Sequence, residues 1–258
     1  MAAHNEEGTI GDSIQSILAE SSVDLELLVC ADGCTDGTLD IVREAAERDA
    51  RVRVFANRTA LGSGASRNRL IREARGTYLA VQDADDISLP GRLAKQMNII
   101  SGDSALTLVA GSARILDTAG VRAEERLLPV ASPQEAVRML RQGRMPFVHP
   151  TVLLKRDAAL QCGGYDVACV RAQDLALMLR LNLSESEIAI VDDSLVMYRL
   201  PGQRSLGAIA RNLKGRRLAI QRNSSGVSLP GRLFALGPLW MIRVIPTWLV
   251  ERHRWRRR

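Results

Sequence analysis

Three carboxylates stand within four residues in Gln82-Asp83-Ala84-Asp85-Asp86, directly after the apolar run Tyr78-Leu79-Ala80-Val81. Adjacent acids repel one another, and a divalent cation between them removes the repulsion. An Asp-x-Asp pair suits Mg²⁺ or Mn²⁺, which takes one or two protein oxygens and completes its shell with water and a diphosphate. On its own such a pair is more often a solvated acidic turn in front of a helix, here the one beginning near Pro90. A second acidic loop, Ala31-Asp32-Gly33-Cys34-Thr35-Asp36-Gly37-Thr38, ends the apolar run Leu25 to Cys30. Its small residues make a tight turn, and Thr35 or Asp36 caps the helix that follows.

Strands must position both loops. Leu25 to Cys30, Val52 to Phe55 and Tyr78 to Val81 read as buried strands, each followed by a loop and a helix, and that repetition predicts an α/β fold with a parallel sheet. Right-handed crossovers bring the loops after Cys30 and Val81 to one edge, where open sheets bind ligands, so Asp32 and Asp85 can face the same molecule. The start of the chain is odd: a helical pattern at Ile10, Ile14 and Ile17 follows His4-Asn5-Glu6-Glu7 almost at once, and no strand precedes His4. Further along, Leu106 to Ala110 and Arg114 to Leu116 give strand material, and Ser132-Pro133-Gln134-Glu135 is a capping box. A strand follows His149-Pro150, Gly163-Gly164-Tyr165-Asp166 is a turn, and Gln173-Asp174 opens a helix. Ile188 to Val191 and Leu195 to Arg199 read as two short strands separated by Asp192-Asp193.

The charge is unevenly spread. The chain of 258 residues carries +6, yet from Arg199 onward fourteen Lys and Arg face the single acid Glu251, giving +13 there and −7 before it. A basic tail on an acidic body points to an anionic partner, a membrane surface ahead of nucleic acid. We therefore divide the chain into residues 1–200 and a basic, partly amphipathic extension, 201–258. Leu206, Ile209, Leu213 and Ile220 mark one face of a helix there, with Arg211, Lys214, Arg216, Arg217 and Arg222 on the other. Leu233 to Val250 is apolar but broken by Gly237, Pro238, Arg243 and Pro246, which suits an interfacial segment or a helical pair packed on the domain. The four cysteines lack zinc or redox spacing and read as free thiols of a reducing cytosol.

His4-Asn5-Glu6-Glu7, Ala31 to Thr38, Ala65-Ser66-Arg67-Asn68, Gln82 to Asp86, and Gly163-Gly164-Tyr165-Asp166 with Gln173-Asp174 occur in the order and rough spacing of family 2 glycosyltransferases. The resemblance runs from His4 to about Arg199. It implies a GT-A fold and inverting transfer of one sugar from a nucleotide-sugar donor, with Mn²⁺ or Mg²⁺ as cofactor. Asp32 matches the acid that accepts from the donor base, usually uracil. Asp83 and Asp85 match the first and last acids of the family's Asp-x-Asp, with Asp85 on the metal and Asp83 on ribose or metal. Asp174 matches the general base, although an acid at a helix start also satisfies free amides. His149 falls on the acceptor side, where a structural histidine is equally at home. Arg67 either contacts diphosphate or lies on a solvated face, and Arg204 falls in the loop that closes over the diphosphate.

The implied setting is cell-envelope polysaccharide or glycolipid synthesis on a lipid-linked or saccharide acceptor, in the cytoplasm at the inner membrane face. Two departures matter. Gln173 replaces an acid often found beside the base, which keeps a non-catalytic nucleotide-sugar-binding relative as the alternative. The family's first strand would lie before His4, so the expectation is a missing or truncated first strand, a groove beside the donor base, and a chain that starts upstream or is cut short.

Overall fold

The computed structural model of the chain describes residues 1–116, 127–128, 132–199, 206–223, 225, 227–228 and 231. Its first part alternates strand and helix: β1 (Ala2–Ala3), α1 (Ile10–Leu18), β2 (Leu27–Asp32), α2 (Thr38–Arg48), β3 (Val52–Asn57) and α3 (Ser63–Glu73). The strands form a three-stranded parallel sheet in the order β1-β2-β3. All six residues of β2 are buried, as in a strand covered on both faces. Ile10, Ile14 and Ile17, at helical spacing, seat α1 on one face together with Val42 of α2. Helix α3 is different. It buries Gly64 and Ser66 beside Leu70 and Ile71, so part of its inward face is small and polar.

A second sheet follows, built from β4 (Tyr78–Ala80), β5 (Ile87–Ser88), β6 (Leu108–Leu116), β7 (Leu127–Leu128), β8 (Leu153–Lys155) and β9 (Ile188–Arg199) in the order β4-β8-β6-β9-β5, with β7 on β6. Only β6 and β9 pair in parallel there. Its helices are α4 (Arg92–Gly102), α5 (Pro133–Arg141), α6 (Arg156–Gln161), α7 (Gln173–Leu181) and α8 (Leu206–Arg222). The largest apolar core lies here and gathers Leu108, Leu154, Leu175, Met178, Ile188 and Ile220.

The first strand, expected to be missing or truncated, is two residues long: Ala2 and Ala3 pair with Cys30 and Ala31. Two other expectations change. The strand expected as Tyr78 to Val81 joins not its predecessors but β8, antiparallel. The late strand pieces are continuous, because β6 and β9 share one long pairing whose bulge near Gly111 and Ser112 absorbs the exposed Asp192-Asp193. A Cβ on Gly111 would come within 2.5 Å of Leu195, so the two strands approach closely only because that residue is glycine.

All four cysteines are free thiols. Helix α8 is packed on the domain, with Ala219 and Ile220 buried. Arg216 donates to the Gly143 carbonyl at 2.5 Å, and Arg222 binds Asp166 at 2.7 Å, while Arg211 and Lys214 stay exposed. Residues 232–258, including the apolar stretch of the expected extension, lie outside the described residues. Among the described residues no helix is long and apolar enough to cross a membrane.

Candidate active site

Helix α3 ties the motifs together. The Ser63 hydroxyl donates to Gln173 Oε1 at 3.0 Å, beside Asp174. Ser66 takes a hydrogen bond from Asn57, which also donates to Asp32. Arg67 reaches Asp83 at 2.5 Å. Asn68 clamps the Gly163-Gly164-Tyr165 turn, donating to the Tyr165 carbonyl and accepting from its N–H, both at 2.8 Å. A Cβ on Gly164, whose φ is +67°, would lie 2.4 Å from Asn68 Oδ1, so the clamp requires glycine there. The amino-terminal motif closes on the Asp32 loop. Asn5 accepts from the Thr35 N–H, Glu7 from the Gly37 N–H, and the Glu6 N–H donates to Thr38.

Asp32 ends β2 and is buried. Its carboxylate accepts from Asn57 at 2.8 Å and from the backbone N–H groups of Leu61 at 2.9 Å and Gly62 at 2.8 Å. Burial pushes its pKa up, but these donors outweigh burial and hold it below the ordinary value. It is thus a fixed anion braced by the β3–α3 loop. Gly33 lets that loop close, since a Cβ there would meet the Ala60 nitrogen at 2.2 Å.

The acidic loop after β4 is less well provided. Asp83 is neutralised by Arg67; burial raises its pKa, and Arg67 with His149 more than reverses this. Arg67 therefore neither lies on a solvated face nor points away from the acids, and its guanidinium also sits 5.5 Å from the Tyr165 ring centre. Among the described residues Asp85 forms no ion pair, and burial and then Asp83 raise its pKa against the pull of Arg199 and Arg67. Glu6 is raised by burial and then by Asp85, which brings the first motif beside the acidic loop. Asp86 is fully buried. Burial, Asp83 and Asp85 push it up to about 9. Its Oδ1 accepts from the Arg199 N–H at 2.8 Å, and its Oδ2 has no hydrogen-bond partner among the described residues.

Beneath the loop lies a polar network that the sequence reading did not find. Arg92 is buried and donates to Gln96, to Gln82 at 2.8 Å and to the Val81 carbonyl at 2.8 Å. Gln82 in turn donates to Ser13 and to the Asp83 and Asp86 carbonyls. Arg92 and Gln96, four apart on α4, carry the only available signal: two long polar residues on the face next to Leu93 and Ile100.

Asp174 lies in the first turn of α7, and among the described residues its carboxylate accepts no hydrogen bond. Its charge is nonetheless felt at Arg67, His149 and Tyr165, which places it in that group. His149 is buried, with Nε2 2.9 Å from the Tyr165 hydroxyl. Burial and then Arg67 lower its pKa to about 4, so the ring is neutral near pH 7. The structure thus draws Arg67, Asp83, His149 and Asp174 together, sets Asp85 beside Glu6 and Asp83, and links Asp32 to them through α3. Arg204 lies outside the described residues.

Among the described residues no three His, Cys, Asp or Glu groups form a ready cage for a metal. The donors present fit a different arrangement. Asp85 offers a half-buried carboxylate that forms no ion pair among the described residues, although Arg199 and Arg67 act on it from a distance, which matches a Mg²⁺-like ion that takes one or two protein oxygens and the rest from a diphosphate.

Over residues 1–163 the chain matches the family model described as Glycosyl transferase family 2. It is 34% identical over 205 residues to EpsE of Bacillus subtilis strain 168, named as a glycosyltransferase, across 75% of this chain and 72% of that one. WfgD of Escherichia coli, named UDP-Glc:alpha-D-GlcNAc-diphosphoundecaprenol beta-1,3-glucosyltransferase, is 35% identical over 100 residues, and the match spans only 39% of its length and 39% of this chain. Among solved structures, the mannosyltransferase PcManGT from Pyrobaculum calidifontis, in complex with GDP-Man and Mn²⁺, aligns with a TM-score of 0.67 over 97% of this chain and 70% of that one. At 17% identity that likeness is one of GT-A fold.

Proposed function

The chain belongs to glycosyl transferase family 2, and we propose that it moves a single sugar from a UDP-linked donor to an acceptor hydroxyl with inversion of configuration. The observation that carries this reading is the Asp174 carboxylate, without a hydrogen bond among the described residues and drawn by α3 to the group around Arg67 and Asp83. In this reading the braced Asp32 loop receives the nucleobase, and Asp85 holds Mn²⁺ or Mg²⁺. The bound ion would neutralise charge on the departing nucleoside diphosphate. Asp174 takes the proton from the acceptor hydroxyl as that oxygen attacks the anomeric carbon opposite the diphosphate. Arg67 keeps Asp83 ionised beside it, and neutral His149 with Tyr165 shapes the acceptor side without adding charge.

The acceptor class rests on kinship. WfgD is named for a lipid-diphosphate acceptor, and a lipid-linked or saccharide acceptor of the cell envelope is our reading here. The exposed Arg211 and Lys214 of α8, with the arginines after Arg222, favour work at an anionic inner membrane face from the cytoplasm.

The test is release of UDP from a panel of UDP-sugars with Mn²⁺ and a lipid-diphosphate saccharide. The protein should turn over one donor, and Asp174→Asn should lose roughly 10³-fold in rate while keeping its affinity for UDP. UDP binding without turnover of any donor would favour the non-catalytic alternative, which the neutral Gln173 amide beside Asp174 keeps in view.

A further inference from the structure

Among the described residues five large apolar side chains are exposed, and three of them belong to two neighbouring segments. Val167 and Val170, 60% and 75% exposed, stand on the loop between Asp166 and α7, and Leu218 stands on α8. The loop is rooted. Cys169 is buried beneath it, its N–H donating to the Asp166 carbonyl, and the Ala168 N–H donates to the Asp166 carboxylate. Asp166 is buried in turn and pairs with Arg222 of α8 at 2.7 Å and with Arg180 of α7 at 3.4 Å. Arg171 donates to Asn212 of α8 at 3.1 Å, and a Cβ on Gly215 would meet the Arg171 Cβ at 2.6 Å, so the loop lies directly on the helix. Arg211, Gly215, Leu218 and Arg222 fall at i, i+4, i+7 and i+11, one stripe of α8, with Lys214 beside it. Loop and stripe therefore present one surface.

The charge of that surface has one sign. Arg171, Arg211 and Lys214 are exposed, and neither Val167 to Ala172 nor Leu206 to Gly231 contains an Asp or Glu. The acid at the root of the loop, Asp166, is already neutralised by its two arginines. Apolar tips set among cations complement an anionic lipid surface, where the valines enter the acyl boundary and the cations meet headgroup phosphates. A protein partner fits less well, because the core of a protein interface is depleted of charge. The chain's own apolar stretch, Leu233 to Val250, contains Arg243 and runs into further arginines, so it would bring like charge to this face.

We infer that the loop from Val167 to Arg171 and the stripe of α8 from Arg211 to Leu218 form one docking face for an anionic bilayer, with Val167 and Val170 as its apolar anchor. Basic charge alone would hold the protein near a membrane in any orientation; two valines on a rooted loop fix which side faces the lipid. Val170 stands four residues before Asp174. Its carbonyl accepts from the Gln173 amide at 3.0 Å, and the same Gln173 is joined to Ser63 of α3. A bilayer seated on the anchor thus lies next to the mouth of the Asp174 cleft, at the level where the phosphate of a lipid-linked acceptor is found. This orientation of the reaction rests on the function proposed above, whereas binding of lipid by the face does not.

The test mixes the full 258-residue chain, without donor or metal, with vesicles of phosphatidylcholine alone or of phosphatidylcholine and phosphatidylglycerol in equal parts. Co-sedimentation reads binding, and hydrogen exchange reads where the lipid sits. The protein should bind the anionic vesicles only, less at high salt, and exchange across Val167 to Arg171 should slow about threefold or more in the bound state. The double variant Val167→Asp/Val170→Asp should lower the partition about tenfold or more, and Arg211→Gln/Lys214→Gln about tenfold, both with Tm unchanged. Should a variant lose Tm, exchange in the wild type decides alone. Several results would overturn the docking face: no binding, equal binding to both kinds of vesicle, or unchanged loop exchange in vesicle-bound protein, which would place the contact in another part of the chain. A loop already protected without lipid would do the same, since a protein segment or a second copy would then cover it. Loop protection by anionic vesicles in a protein that turns over no UDP-sugar would count against the transfer reaction and leave the docking face standing.

Discussion

Asp32 and Asp85 are the same residue type on loops that follow strands, yet their surroundings are opposite. Asp32 accepts from Asn57, Leu61 and Gly62 and is held ionised by them. Asp85 and its neighbour Asp86 are pushed toward the neutral acid, and Asp86 keeps one buried oxygen without a hydrogen-bond partner among the described residues. A carboxylate whose lone pairs are filled from its own fold is a rigid part of a recognition surface. Carboxylates crowded together and short of donors store electrostatic cost, which an arriving cation relieves. The difference separates a pre-formed half of the site from a half completed by its ligand.

The largest expected effect tests the crowded half. The unfolded carboxyl of Asp86 ionises near pH 4, whereas the folded one keeps its proton to about 9. Between those values the folded state binds more protons, so this contribution is fully present below pH 4 and is lost as pH rises through the window. Asp86→Asn, measured without nucleotide or metal, should flatten that fall, with a gain at pH 8 over pH 5 of up to about 4 kcal/mol, the limit set by about 1.4 kcal/mol per unit. Unfolding by denaturant at the two pH values reads it, and parallel curves for both proteins would show that Asp86 is not held neutral.

A smaller effect tests the filled half. Asp32→Ala strands the Asn57 amide and two backbone N–H groups, a loss of roughly 2–3 kcal/mol. Its pH signature has the opposite sign: the folded pKa is lowered, so the contribution is present above about pH 4 and disappears as pH falls through the lower folded value. Wild type and Asp32→Ala should therefore converge in acid. A constant gap down to pH 2 would mean that the donors do not favour the anion.

Much of this contrast was legible in the sequence, because Asp32, Asp83, Asp85 and Asp174 stand at punctuation points: the ends of apolar runs and the start of a helix. Strands β2, β3 and β4, helices α1 and α2 and the Ser132 cap of α5 follow from period and turn chemistry in the same way, although of the expected capping box only the Ser132 half forms, the Glu135 carboxylate turning to Arg138. What binds the motifs together was not legible. The reach of Arg67 to Asp83 and of Asn68 to Tyr165 spans 16 and 97 residues, and no local pattern encodes such a pairing. The buried Arg92 looks like any surface arginine until Gln82 is brought beneath the loop. The pairing of β6 with β9, from which most of the second sheet hangs, likewise joins segments about eighty residues apart, and helix α8 turned out to be fastened through arginines that the amphipathic pattern assigned to solvent.

The most direct measurement is the affinity for UDP with and without Mn²⁺, by titration calorimetry, in wild type and Asp85→Ala. If Asp85 waits for a nucleotide-borne cation, Mn²⁺ should tighten wild-type binding at least about tenfold, worth about 1.4 kcal/mol. Asp85→Ala should bind UDP as wild type does without metal and gain nothing from Mn²⁺. Equal wild-type affinity in both conditions, or a full Mn²⁺ gain in Asp85→Ala, would contradict the division of the site into a filled half and a waiting one.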